Sequence, residues 1–158
     1  MELRTARLRL TPPVEADAPF VLELLNDPGW IRNIGDRGVR SLDDARAYIR
    51  ERFGKSLWLV VRDAAGEPLG TCGLVEREVL DSPDLGYAFL ERHSGKGYAT
   101  EAAAAVLAYV REVMRLPKLA AITAPGNQAS QRVLEKLGFR YVEIRELEGI
   151  GPSAYFLI

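Results

Sequence analysis

Gly95 and Gly97 stand one residue apart in the run His93-Ser94-Gly95-Lys96-Gly97-Tyr98-Ala99-Thr100-Glu101. A strand-like stretch, Asp84–Leu90, precedes them, and a strong amphipathic helical pattern follows at once. Glycines clear side chains from a turn, and the first turn of a helix has N–H groups without partners. With the helix dipole added, such a turn is suited to a phosphate or pyrophosphate. The chemistry it suggests is binding of a phosphate-bearing small molecule. A plain strand-to-helix turn would use the same glycines, and spacing alone does not choose between the two readings. The Walker pattern fails, since Gly97 rather than Ser or Thr follows Lys96. The dinucleotide fingerprint fails too, because Thr100 stands where its third glycine belongs.

Other chemistries are constrained by what is scarce. Cys72 is the single cysteine and His93 the single histidine. No internal disulfide or cysteine-cluster metal site can form, and a histidine zinc site or a Ser-His-Asp triad has little to draw on. No metal is expected. The 158 residues suit one domain, residues 1–158, and the net charge of −1 offers no global attraction for nucleic acid or an anionic membrane. No apolar run approaches the roughly 20 residues of a bilayer span, and the first residues lack a signal-peptide pattern. These features predict a cytoplasmic protein with neither nucleic-acid nor membrane partners, a monomer or a homodimer.

The elements that must position the turn follow from periodicity and turn chemistry. Arg7–Thr11 reads as a strand stopped by Pro12-Pro13. A helix is predicted from near Asp17 to Asn26, with Pro19 in its first turn, and Asp27-Pro28-Gly29 breaks it. Trp30–Arg40 reads as a loop carrying Arg32, Arg37 and Arg40. Ser41 with Asp44 resembles a capping box opening a second helix to about Phe53. Leu57–Val61 and Leu69–Val75 read as an antiparallel hairpin, and Asp84–Leu90 as the fourth strand. The helix after the glycine turn carries Ala102, Ala103, Val106, Leu107, Val110, Val113 and Met114 at helical spacing. Leu119–Ala124 is a fifth strand. Asn127 can cap a last helix with Ala129, Val133, Leu134 and Leu137 on its apolar side. Tyr141–Leu147 and Ala154–Ile158 complete the pattern. The prediction is an α/β (α+β) domain, a mixed and mostly antiparallel sheet of about seven strands with four helices.

Leu85-Gly86-Tyr87 followed by Gly95-Lys96-Gly97-Tyr98-Ala99-Thr100-Glu101-Ala102 resembles the acetyl-CoA-binding motif of the GNAT acetyltransferases. Asn127-x-x-Ser130 with Arg132-Val133-Leu134-Glu135-Lys136-Leu137-Gly138-Phe139 resembles that family's next motif. The Asn-x-x-Ser form and Arg7-Leu8-Arg9-Leu10 are similar to its RimJ/RimL-like branch. The resemblance covers essentially the whole chain. It implies the GNAT acyl-CoA N-acyltransferase fold, with acetyl-CoA lying between splayed fourth and fifth strands. It also implies an N-acetyltransferase in which a primary amine, on a protein N-terminus or a small molecule, attacks directly in a ternary complex. The alternative is a catalytically silent acyl-CoA-binding or regulatory domain.

By the same resemblance, Phe89 and Leu90 backbone groups pair with the pantetheine arm. Ser94, Gly95, Lys96, Gly97, Tyr98, Ala99 and Thr100 present amides to the pyrophosphate, and Asn127 and Ser130 form the other wall. Backbone N–H groups of a bulged strand around Tyr87–Phe89 would polarise the acetyl carbonyl. Two positions depart from the family pattern. Ser94 replaces the usual Gln or Arg of the turn, and Leu134 replaces the tyrosine that serves many relatives as proton donor. Ser130 is then the candidate to hydrogen-bond the departing thiolate. Glu76, Glu78 and Asp84 are carboxylates where relatives can place a base acting through water, and Glu78 is the catalytic candidate. The acceptor is expected over the loop between the first two helices and the last hairpin, with Trp30 and Arg32 as substrate residues. Cys72 reads as a buried structural thiol rather than an acyl carrier.

Overall fold

A computed structural model describes all of residues 1–158. Eight strands form one sheet: β1 (Leu3–Arg4), β2 (Arg9–Thr11), β3 (Trp58–Arg62), β4 (Pro68–Val75), β5 (Asp84–Phe89), β6 (Ala120–Thr123), β7 (Arg140–Leu147) and β8 (Gly151–Leu157). Their order is β1-β2-β3-β4-β5-β6-β8-β7. Neighbours are antiparallel except β5 and β6, which run parallel and meet in register at one position, Asp84 opposite Ala120.

Both faces are covered, which the alternation along β3 shows. Leu59 and Val61 enter one apolar cluster, Trp58 and Val60 another. The first cluster holds α4 (Tyr98–Tyr109) and Leu134 of α5 (Gln128–Lys136); the second holds α1 (Ala18–Leu25), Trp30 of α2 (Pro28–Asn33) and α3 (Leu42–Glu51). A buried ion pair, Arg62 Nη2 to Asp17 Oδ1 at 2.7 Å, ties the entry of α1 to β3. Ser41 caps α3 by accepting from the Asp44 N–H at 3.0 Å.

The eighth strand and fifth helix correct the sequence-based expectation. β1 has two residues, too few to show a period, and exists through its pairing of Leu3 with Leu10. Asp27-Pro28-Gly29 does end α1, but it also starts α2: Asp27 Oδ1 accepts from the Gly29 N–H at 3.1 Å, and Pro28 fits the first helical position. Trp30 and Arg32 are therefore helical rather than in a loop. The helix after the glycine turn leaves α geometry at Tyr109 and passes through a wider π turn, Val110–Met114. The extra residue rotates the end of the pattern outward, so Val113 is 62% exposed and Met114 also faces solvent. Ala129, expected on the apolar side of α5, is exposed. β8 begins earlier than expected, at Gly151. Pro152 is accommodated because β6 pairs no further along β8 than Ala154, leaving nothing beside the proline that needs its missing N–H.

Candidate functional site

The sheet opens at one place. Beyond Asp84–Ala120, β5 and β6 share no further register. Leu90 N–H donates to Leu69 O at 3.0 Å. In an antiparallel ladder the bonding direction alternates, so Ala88 and Gly86 also face β4, while Tyr87 and Phe89 present N–H and C=O to the open side. Two expectations change here. Leu90 has no backbone group to offer, since its C=O accepts from His93 N–H at 2.9 Å and its side chain is buried. The free edge is one residue earlier, at Tyr87 and Phe89. And β5 pairs with β4 residue for residue from Asp84 to Phe89, without the register shift of a bulge.

The glycine turn lies just beyond this edge. Gly95 and Gly97 have φ of 76° and 80°, the left-handed region, and Gly97 is the N-cap of α4. None of the backbone N–H groups from Gly95 to Thr100 donates to a protein acceptor; the first bond of the helix runs from Glu101 N–H to Gly97 O at 3.1 Å. A Cβ on Gly95 would meet nothing within 4 Å. A consecutive set of unpaired donors at a helix N-terminus, open in front, fits a pyrophosphate. Ser94 is turned away from this set: its Oγ donates to Glu91 O at 2.6 Å and its N–H to the same oxygen at 3.1 Å.

The turn is held from behind by the N-terminal segment. Arg7 Nη1 donates to Lys96 O at 3.0 Å and Nε to Glu101 Oε1 at 2.7 Å, while its guanidinium lies 4.6 Å from the Tyr98 ring centre. Glu101 Oε2 also accepts from Arg7 N–H at 3.0 Å and from the Thr5 hydroxyl. Burial raises the Glu101 pKa, but the bonds from Thr5 and Arg7 together outweigh it, and the carboxyl sits below its ordinary value.

Across the gap, Asn127 caps α5, its Oδ1 accepting from Ser130 N–H at 3.2 Å. The Tyr87 hydroxyl reaches from β5 to α5, 2.9 Å from both the Ser130 carbonyl oxygen and Ser130 Oγ. Burial lifts the Tyr87 pKa above the ordinary tyrosine value, against the smaller opposing effect of the Ser130 hydrogen bond. Leu134 is buried beside them. Cys72, opposite Tyr87 in the ladder, is fully buried, and burial pushes its thiol pKa far up, which suits a structural thiol.

A cavity of about 510 Å³ runs through the opening. On the α5 side it touches Leu85, Tyr87, Ile122, Ser130 and Leu134; on the other side Asp84, Gly86 and Ala88 of β5 lead to walls from α2 and α3. There Trp30, Tyr48, Phe53 and Trp58 form an aromatic lining, with Tyr48 and Phe53 edge to face at 5.0 Å and Phe53 5.5 Å from Trp58. Arg37, Arg52 and Lys55 line it as well. Trp58 lies over two glycines: a Cβ on Gly86 would be 3.1 Å from its ring, and one on Gly73 2.1 Å from Leu57 O. Three carboxylates line the cavity: Glu51 at the end of α3, Glu76 just after β4, and Asp84. Asp84 is 1% exposed and accepts from Arg77 Nε at 3.0 Å; burial raises its pKa more than Arg77 lowers it.

Of the residues expected from sequence, the structure gathers Trp30 and Ser130 on the cavity, with Asn127 at the cap below Ser130 and residues 95–100 at the turn. Glu78 is exposed and does not line the cavity, because the chain between β4 and β5 turns it outward. Arg32 stands outside as well, 3.5 Å from Glu91 on the surface. Sequence reading missed the Tyr87 side chain and Trp58. The one signal available was Gly86, where a missing side chain makes room for an indole.

Residues 7–140 match the family profile described as Acetyltransferase (GNAT) domain. The Bacillus subtilis (strain 168) protein YkkB is 36% identical over 149 residues, covering 89% of this chain and 86% of its own. The N-acetyltransferase YnaD of the same organism is 29% identical, covering 89% and 83%. Among solved structures, a GNAT-family acetyltransferase from Bacillus anthracis superposes with a TM-score of 0.84 at 25% identity, over 100% of this chain and 98% of that one. The ribosomal L7/L12 alpha-N-protein acetyltransferase RimL, solved in complex with coenzyme A, shares the fold with a TM-score of 0.84 at 16% identity, over 100% and 97%. The fold is that of an acyl-CoA-dependent acyltransferase. The chain belongs to the GNAT family of N-acetyltransferases, with RimJ/RimL-like relatives.

Proposed function

We propose that the protein transfers acetyl from acetyl-CoA to a primary amine by direct attack in a ternary complex. The observation that carries this reading is the cavity's course: it joins the α5 side of the sheet to an aromatic chamber at the one point where the sheet parts. A cofactor held on one face can then present its acetyl end to an acceptor entering from the other.

Bound acetyl-CoA supplies the activated thioester. The chain's residues do the rest. The amides of Gly95–Thr100 hold the pyrophosphate, and the Phe89 edge pairs with the pantetheine arm as an added strand would. The Tyr87 N–H, on the same open edge, polarises the acetyl carbonyl as charge develops on its oxygen. Ser130, placed by the Asn127 cap, and the Tyr87 hydroxyl bound to it form the polar pair at the place where the sulfur departs. Trp30, Trp58 and Phe53 position the amine. The amine must be neutral to attack, and Glu76, which has no ion-pair partner, takes its proton by way of water. Glu78 has no role in this arrangement. Protein N-termini and small molecules are both candidate acceptors, since the proteins that share the fold include the ribosomal L7/L12 alpha-N-protein acetyltransferase RimL and a chimera of a spermidine N-acetyltransferase.

A panel of N-terminal peptides, amino acids, polyamines and aminoglycosides, read by release of free CoA, tests the reading. Turnover with at least one amine is expected. CoA binding without turnover on any of them would mark a silent binding module. Glu76→Gln is expected to lower kcat/KM for the amine about 10-fold, within the range of lost general-base catalysis, while Glu78→Gln leaves it unchanged.

A further inference from the structure

The family resemblance implies a tyrosine donor at the position of Leu134, and a leucine there has no proton to donate. The Tyr87 hydroxyl occupies the neighbouring space from the opposite wall of the gap. It lines the cavity together with Ser130 and Leu134, and it is fixed by two contacts of 2.9 Å to Ser130. A tyrosine hydroxyl has one proton. The Ser130 carbonyl can only accept, so Tyr87 donates to it, and the Ser130 hydroxyl in turn donates to Tyr87 Oη. The Ser130 carbonyl lies within α5, whose regular bonding supplies it with the N–H four residues on. Tyr87 can therefore release that oxygen without leaving it unpaired, and swing its proton toward a group arriving in the gap.

We propose that Tyr87 is the hydrogen-bond donor to the departing CoA sulfur, set in place by Ser130 and standing in from β5 for the tyrosine absent at position 134. The proposal rests on the acetyltransferase reading given above. The amine nitrogen bonds to the acetyl carbon, and the carbon–sulfur bond breaks with its electron pair going to sulfur. The thiolate so formed is held by the Tyr87 O–H. The new amide nitrogen sheds one proton to water, and the sulfur takes one from water as CoA leaves, so atoms and charge balance. Tyr87 keeps its own proton throughout. Its burial favours that neutral form, which is the form a donor needs.

The test compares wild type, Tyr87→Phe and Ser130→Ala. Tyr87→Phe keeps the ring and removes one oxygen. One measurement needs no acceptor: titration of the bound CoA thiol by its ultraviolet thiolate absorbance. Hydrogen bonds to charged groups are worth about 10- to 100-fold in an equilibrium. Tyr87→Phe should therefore raise the pKa of the bound thiol by about one unit or more. It should lower kcat about 10- to 100-fold with an amine found in the panel, and leave the acetyl-CoA KM within about 2-fold. Ser130→Ala should shift the thiol less, because it only orients the donor. A bound-thiol pKa unchanged in Tyr87→Phe overturns the proposal, whatever happens to kcat, since a packing role would slow turnover without moving the thiol. If the thiol shifts as expected while wild type acetylates no amine, Tyr87 is confirmed as the sulfur's partner and the enzyme reading alone fails. If wild type binds no CoA, both fall.

Discussion

The two sides of the opened sheet are built on different principles. On the α4–α5 side the groups left free are mostly backbone: the amides of Gly95–Thr100, the edge of β5 and a capped helix start. On the α2–α3 side the surface is mostly side chain, with four aromatic rings drawn from four separate elements and charges drawn from others. Backbone recognition suits a ligand that never changes. Side-chain recognition can be replaced piece by piece, which is what a family with many acceptors requires.

The difference can be broken by substitution. The largest effect is expected from Gly97→Val. A β-branched residue at φ 80° is strained, and its Cβ would stand 3.4 Å from Arg7 Nη2, pressing on the backing that holds the turn's amides in place. The acetyl-CoA KM should rise at least about 10-fold, with a fall of a few degrees in Tm, as steady-state kinetics and thermal melts would show. Trp30→Ala should come next. It removes a ring from the aromatic lining, and should raise the amine KM about 5- to 10-fold while the acetyl-CoA KM stays put. A shift in the latter would show that the two sides are not separable. Arg7→Ala should do less, about 2- to 5-fold on the acetyl-CoA KM, because the turn keeps its own fold and loses only its backing.

Acid sharpens that last comparison. The Glu101 pKa is lowered on folding, so its contribution to stability is present above its unfolded value and is lost as pH falls through the folded one. The Tm gap between wild type and Arg7→Ala should therefore close as pH drops below the usual carboxylate range. A gap independent of pH would mean that the Arg7–Glu101 contact contributes nothing to stability.

The same contrast decided what could be read from the sequence. A turn that needs positive φ has to be glycine, a helix start needs a capping side chain, and a buried helix face needs a period. Gly95, Gly97, Asn127 and the α4 pattern could all be read on those grounds. The α2–α3 side leaves no such record. Trp30 was visible as a residue, but its helix was hidden by an Asp-Pro-Gly sequence that is both a stop and a start. Trp58 and Tyr87 sit in strands where aromatic residues are ordinary. Glu76 and Glu78 are separated by one residue, alike in type and both exposed; only the path between β4 and β5 decides which of them borders the cavity. Val113 and Met114 continued a helical period that the π turn then displaced, and a period count carries no sign of such a turn.

The single point of register between β5 and β6 has a mechanical consequence. The sheet is in effect two antiparallel leaves, β1 to β5 and β6 to β8, joined along a seam by one residue pair and bridged by the helices α4 and α5. A ligand that takes strand-like bonds from Phe89 acts as a stitch across that seam. Saturating CoA should then slow hydrogen exchange on both leaves at once, not only beside the glycine turn. At a free concentration 100 times its Kd, CoA would add about 2.7 kcal/mol to the unfolding free energy. Thermal shift then offers a way to rank acyl-CoA donors before any acceptor is known.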